Sequence, residues 1–109
     1  MADIKKFDRI NSLLLTYGDL LSKIQKDVLT YYYIYNLSLS EIAQERNISR
    51  AAVDDALKKG ENKLEEIENV LKFNEKREEI LKITAKIKQN YPDTEVDIED
   101  IERILTDGI

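Results

Sequence analysis

Apolar residues recur every three to four positions along most of the chain, which is the spacing of one face of an α-helix. The first such face consists of Phe7, Ile10, Leu13 and Leu14. Gly18 interrupts the pattern and is expected to end the first helix. A second face predicts a helix over residues 23–35, with Val28, Leu29, Tyr32 and Tyr35 directed inward. Tyr31 and Tyr33 are then expected at the surface or at an interface.

Polar residues that precede the apolar faces predict where helices begin. Ser22 with Gln25, and Ser38 with Glu41, each have the spacing of a capping box, in which two side chains bind the free N–H groups of a first helical turn. Ser49 is expected to cap a further helix that starts at the next residue. The sequence therefore predicts helices from about residues 23, 39 and 50.

Residues 61–91 contain no glycine or proline, which predicts one long helix, or two helices with a kink near residues 72–74. A stripe on this segment alternates spacings of three and four, as in a coiled-coil seam. It comprises Val70, Phe73, Arg77, Ile80, Thr84, Ile87 and Tyr91. Its partner is the first helix, the last helix or a second copy of the chain, and we expect a homodimer. Solvated surface charges are expected at Glu65, Glu66, Glu68, Glu78 and Glu79.

The lone proline, Pro92, separates this segment from a short last helix that starts at Asp97 and ends at Gly108. Charged residues make up 36% of the 109 residues, with three glycines and one proline. This composition favours long helices over many short strands. We therefore predict an all-α protein.

Residues 39–58 fit the pattern of a helix-turn-helix. Ala43 is small where two helices must approach closely, and Asn47 falls in the turn, where a positive φ is often needed. The shared core is expected to contain Ile42, Ile48, Val53 and Leu57. We predict a helix-turn-helix domain over residues 1–62 and an acidic helical extension over residues 63–109.

Several function classes are excluded by what the composition lacks. There is no cysteine and no histidine, which removes disulfides, thiolate metal sites and the commonest general base. No phosphate-binding glycine loop or nucleophile–base pair is present, so we expect neither an enzyme nor a cofactor. No apolar run is long enough for a bilayer and no signal-peptide core is seen, so a cytoplasmic protein without membrane insertion is expected.

The charge distribution places any nucleic-acid surface in the first half of the chain. Residues 1–60 hold nine Lys/Arg and eight Asp/Glu, whereas residues 61–109 hold eight and fourteen. The predicted contacts, on and around the second helix of the motif, are Lys26, Arg46, Ser49, Arg50, Ala51, Asp54, Lys58 and Lys59. Alternatively, Asp54, Lys58 and Lys59 take part in two ion pairs along the helix at i,i+4 spacing, Asp54–Lys58 and Asp55–Lys59.

The segments "LSLSEIA" and "ISRAAVDD", in register within residues 17–68, resemble the YlxM-type family of small bacterial proteins. That family is similar to the C-terminal helix-turn-helix region of sigma factors. The resemblance implies a winged-helix-like domain without the wing, and a DNA-binding regulatory protein linked to the signal recognition particle pathway. Ile24, Ala51 and Asp54 depart from the family pattern and remove a donor, a polar side chain and an aromatic ring from the expected contact surface.

A protein-interaction module that docks on signal recognition particle components without nucleic acid is the alternative function. The two functions predict different surfaces. A continuous basic strip through Lys26, Arg46, Arg50 and Lys58 favours nucleic acid. An apolar patch near Tyr31 and Tyr33 favours a protein partner.

Overall fold

The computed structural model describes residues 4–107. These residues form six α-helices and no β-strand: α1 (Ile4–Tyr17), α2 (Lys23–Leu29), α3 (Leu39–Arg46), α4 (Arg50–Leu71), α5 (Phe73–Asn90) and α6 (Glu95–Thr106). A π-helical turn (Thr30–Ile34) continues α2, and 3-10 turns lie at Gly18–Leu20 and Pro92–Thr94. The all-α prediction is confirmed. Gly108, the predicted end of the last helix, lies outside the described residues.

The chain divides into two compact units between Leu71 and Lys72. Lys72 has a φ of 53°, in the left-handed region, which interrupts the helical segment and separates α4 from α5. Of the two alternatives for residues 61–91, two helices with a break near residue 72 is therefore the one found. The domain boundary predicted between residues 62 and 63 falls inside α4. No helix within residues 4–107 combines the length and the apolar character needed to cross a membrane.

The first unit packs α1, α2, α3 and α4 around one apolar core. Twelve buried side chains form it: Ile10, Leu13, Leu14, Tyr17, Val28, Leu29, Tyr33, Ile42, Val53, Ala56, Leu57 and Leu64. Both capping boxes are formed, with the hydroxyls of Ser22 and Ser38 accepting from the backbone N–H groups of Gln25 and Glu41. These local bonds fix the starts of α2 and α3 and thereby the faces that reach the core.

The tyrosine assignment was wrong for two residues. Tyr33 is buried, with 5% of its surface exposed, whereas Tyr35 is 63% exposed. The cause is the π-helical turn, in which the N–H of Tyr35 bonds to the carbonyl of Thr30, five residues back, at 3.1 Å. A π turn holds more residues than an α turn, so side chains beyond it point in directions that 3.6-residue spacing does not predict.

Of the glutamates of α4 that were predicted at the surface, Glu66 is exposed, whereas the prediction was wrong for Glu68. Glu68 is buried, and its carboxylate accepts a hydrogen bond from the hydroxyl of Tyr17 at 2.5 Å. Glu65 accepts two hydrogen bonds from the guanidinium of Arg9, at 2.7 and 2.8 Å. These bonds tie α4 to α1, so Glu65 and Glu68 belong to the packing of the unit. A hydroxyl or guanidinium partner offsets the cost of removing a carboxylate from water.

The second unit is a helical hairpin in which the turn at Pro92–Thr94 returns α6 antiparallel to α5. Thr84 and Lys88 of α5 both bind the carboxylate of Glu102 on α6, at 2.6 and 2.7 Å. The predicted seam is not one surface: Arg77 and Thr84 are each 4% exposed, whereas Ile80 is 39% exposed. Thr84 is a polar residue within the predicted apolar stripe, and it can be buried because its hydroxyl donates a hydrogen bond to Glu102.

Candidate nucleic-acid interface

The turn between α3 and α4 has the backbone geometry that a helix-turn-helix requires. Asn47 adopts the left-handed conformation, with a φ of 55°. The N–H of Ile48 then bonds to the carbonyl of Ala43 at 3.0 Å, which closes the end of α3. The predicted role of Asn47 is confirmed, and Ala43 is half-buried against the core.

Ser49 caps α4 as predicted. Its hydroxyl oxygen accepts a hydrogen bond from the backbone N–H of Ala52 at 3.0 Å. Ser49 is therefore held as a cap, and the next two residues, Arg50 and Ala51, lie exposed in the first turn of the helix. The cap fixes the direction in which that turn presents its side chains.

An open groove of about 430 Å³ lies at this point of the molecule. It is lined by Leu39 from the start of α3 and by Arg50, Ala51 and Asp54 from the start of α4. The structure thus brings three of the predicted contacts into one concave surface. Leu39 was not among the predicted contacts, because its apolar side chain at the start of a capped helix carries no charge signal.

The two aspartates of α4 pair with lysines one turn further along. Asp54 binds Lys58 at 2.9 Å and Asp55 binds Lys59 at 3.1 Å, which confirms the i,i+4 alternative. The hydrogen bond that Lys58 donates to Asp54 raises the pKa of Lys58, and the negative charge of Asp54 adds to this. Such exposed pairs stabilise a helix by only about 0.2–0.5 kcal/mol.

The basic candidates outside α4 are paired as well. Lys26 binds Asp19 in the preceding turn, and this hydrogen bond lowers the pKa of the aspartate. Arg46, near the end of α3, binds Asp27 of α2 at 2.8 Å, and both side chains are about 30% exposed. The Arg46 pair joins two helices of the unit, which gives this arginine a structural role.

Arg50 is the exception among the basic candidates. Within the described residues 4–107 its side chain makes no hydrogen bond or ion pair. Of the four residues proposed to form a basic strip, Lys26, Arg46 and Lys58 each have an acidic partner. The positive potential at this surface is therefore concentrated on Arg50.

The surface predicted for a protein partner is displaced by the π-helical turn. Tyr33 is buried and Tyr31 is half-buried, so neither forms an exposed patch. Within residues 31–35, the exposed apolar side chains are those of Ile34 and Tyr35, which are 43% and 63% exposed. The run of aromatic residues in the sequence indicated the segment but not which of its members faces outward.

Residues 4–104 match the sequence profile of the UPF0122 family, described as "Putative helix-turn-helix protein, YlxM / p13 like". The chain is similar to UPF0122 proteins from three bacteria. It is 41% identical to that of Pediococcus pentosaceus over an alignment of 108 positions, which covers 93% of this chain and 96% of the relative. It is 36% identical to that of Bacillus thuringiensis over 102 residues, or 94% and 93% of the two chains. The match with Malacoplasma penetrans is 49% identical over 65 residues, or 60% of this chain and 61% of the relative. The chain therefore belongs to the UPF0122 family of YlxM / p13-like helix-turn-helix proteins.

Proposed function

We propose that this chain is a non-catalytic regulatory protein of the cytoplasm that binds duplex DNA through the first turn of α4. The observation that carries the proposal is the unpaired guanidinium of Arg50 in the groove at the start of that helix. An arginine at this place in a helix-turn-helix can bind a phosphate or the edge of a guanine. The free backbone N–H groups of the same turn favour an anion further.

The neighbouring charges set the kind of binding that we expect. Asp54 lines the same groove and repels phosphate, while Lys58 and Lys59 are held by aspartates. Phosphate can displace such exposed pairs, because each contributes only a few tenths of a kcal/mol. We therefore expect weak binding that depends strongly on salt and discriminates little between sequences.

The test is a titration of a labelled mixed-sequence duplex at two salt concentrations. Arg50→Ala should weaken binding by about 10-fold or more, as expected for the loss of one good arginine contact. Arg103→Ala is the matched control, because it removes the same charge from an exposed position on α6. Equal loss in both variants, or no binding by the wild type, contradicts the proposal.

Docking on a signal recognition particle component without nucleic acid is the second candidate function. It is supported by the exposed Ile34 and Tyr35 at the end of the π-helical turn, since an irregular turn that exposes apolar side chains is typical of binding surfaces. Here the test uses purified particle components and calorimetry. Tyr35→Ala should abolish this binding and leave the DNA titration unchanged, whereas no binding to any component rejects the second candidate.

A further inference from the structure

We propose that a second copy of this chain packs on one side of the α5–α6 hairpin. That side, the hairpin face, consists of Ile80, Ile83, Ile87, Ile101 and Ile104. The inference goes beyond the proposed function, because it concerns a surface in the acidic second unit and does not require DNA binding.

The hairpin leaves most of its large apolar side chains in solvent. Ile83 is 58% exposed, Ile101 is 44% exposed and Ile104 is 78% exposed. Among the described residues of this unit, Ile98 is the only apolar side chain that is buried. Single exposed apolar residues are common, but a cluster of them in so small a unit indicates a surface that another molecule covers.

The members of the hairpin face lie on one side of the hairpin for a geometric reason. The contacts of Thr84 and Lys88 with Glu102 show which positions of α5 and α6 face each other. The positions of α5 and α6 that face each other form an inner stripe, which comprises Leu81, Thr84, Lys88, Glu102 and Leu105. Each residue of the hairpin face comes directly before one of these positions in the sequence. One residue corresponds to about 100° around a helix. Because α5 and α6 run antiparallel, a residue that directly precedes the inner stripe on either helix points to the same side of the hairpin.

Charge complementarity indicates that the covering molecule is a second copy. Lys86 lies two residues before Lys88, at the outer edge of α5, and makes no hydrogen bond or ion pair within residues 4–107. Asp100 lies two residues before Glu102, at the outer edge of α6. Lys86 and Asp100 are within about one helical turn of each other along the hairpin, because the residues that follow them by two are in contact.

A two-fold axis parallel to the helices would lay α5 of one copy over α6 of the other. Lys86 of each copy would then reach Asp100 of the other, so that one surface supplies both the cation and the anion. Self-complementarity of this kind is what a two-fold interface requires. The partner of Asp100 within the chain, Arg103, is 73% exposed and easily displaced.

This surface differs from the seam that the sequence predicted. Arg77 and Thr84, two members of that seam, are buried within the chain and are not available to a second copy. The hairpin face keeps only Ile80 and Ile87 of that seam, and it adds Ile83 of α5 and two residues of α6, Ile101 and Ile104. Residues 72–109 hold seven Lys/Arg and ten Asp/Glu, so nucleic acid does not fit this surface.

The mass of the full chain in solution tests the proposal, measured by sedimentation equilibrium from micromolar to tens of micromolar. The wild type should be a dimer at the upper end of this range. Ile83→Glu should raise the dissociation constant by about 100-fold or more, because it places an unpaired charge in the interface. Circular dichroism should show unchanged helix content, since Ile83 is already more than half exposed.

Two further comparisons make the test specific. Ala85→Glu introduces the same charge at an exposed position that directly follows Thr84, on the side of the hairpin opposite the face, and it should leave the mass unchanged. Lys86→Glu should weaken the dimer by about 10-fold, and adding Asp100→Lys to it should restore the wild-type constant. A monomeric wild type at tens of micromolar, or equal dissociation by Ile83→Glu and Ala85→Glu, overturns the proposal.

Discussion

Gly60 lies directly over the side chain of Leu29, so that a Cβ added to the glycine would be 2.7 Å from the Leu29 Cδ1. This contact explains a glycine inside a 22-residue helix, where glycine costs about 1 kcal/mol relative to alanine. Leu29 is completely buried and cannot move aside freely. The close approach of α2 and α4 therefore depends on the missing side chain.

Gly60→Ala should lower the free energy of unfolding by about 1–2 kcal/mol, because overpacking exceeds the gain in helix propensity. Asn62→Ala, two residues further along α4 and exposed, is the control and should be neutral or slightly stabilising. Urea denaturation measures both variants. A higher midpoint for Gly60→Ala would contradict the close approach.

The hydrogen bond from Tyr17 to Glu68 should contribute to stability because it serves a buried carboxylate. Tyr17→Phe keeps the ring in the core and removes only the hydroxyl, so we expect a loss of about 1–3 kcal/mol. Tyr35→Phe removes the same atom from a 63% exposed ring and should change nothing. Thermal unfolding of the two variants should differ clearly, and equal melting temperatures would argue against a structural role for this bond.

The pair of Arg9 and Glu65 should make stability depend on pH at the acidic end. The hydrogen bond from Arg9 lowers the pKa of Glu65 below its usual 4.5, although burial opposes this. A carboxyl whose pKa is lowered by folding adds stability above 4.5, and the contribution is lost as the pH falls through and below that value. Since both side chains are more than a third exposed, we expect only a few tenths of a kcal/mol.

Glu65→Gln should remove this contribution, so its stability should fall less between neutral and acidic pH than that of the wild type. Glu66→Gln, one residue away and exposed, should keep the wild-type pH dependence. The measurement is the urea denaturation midpoint of the wild type and of both variants, at neutral pH and below pH 4.5. Identical pH profiles for all three proteins would show that the ion pair does not contribute to folding stability.

The aspartates at the start of α4 should weaken DNA binding if that helix faces DNA. Asp54→Asn with Asp55→Asn should tighten binding for most sequences alike, because phosphate attraction carries no base information. The log–log salt slope should steepen by roughly one unit for each lysine that is freed. Fluorescence titration at several salt concentrations measures both effects.

The control for this double variant is Glu78→Gln with Glu79→Gln, which removes two negative charges from exposed positions on α5. If both double variants tighten binding equally, the effect comes from net charge alone. The first turn of α4 would then not be the contact surface, and docking on a protein partner would become the leading function.

The sequence by itself determined the features that depend on residues a few positions apart. The capping boxes at Ser22 and Ser38, the left-handed Asn47 and the i,i+4 pair of Asp54 with Lys58 all follow from such short spacings. Each involves a single turn of backbone, so the sequence could specify it before any packing was known. The same local signals predicted the all-α fold and the helix-turn-helix frame.

Tertiary structure decided the features whose partners are distant in sequence. Glu68 is buried because Tyr17, 51 residues away, donates to it, and Arg46 is held by Asp27 across two helices. Tyr33 replaces Tyr35 in the core because a π-helical turn changes the angular spacing on which the prediction relied. Helical periodicity gives the direction of a side chain around its own axis, whereas the neighbour it meets depends on how the helices pack.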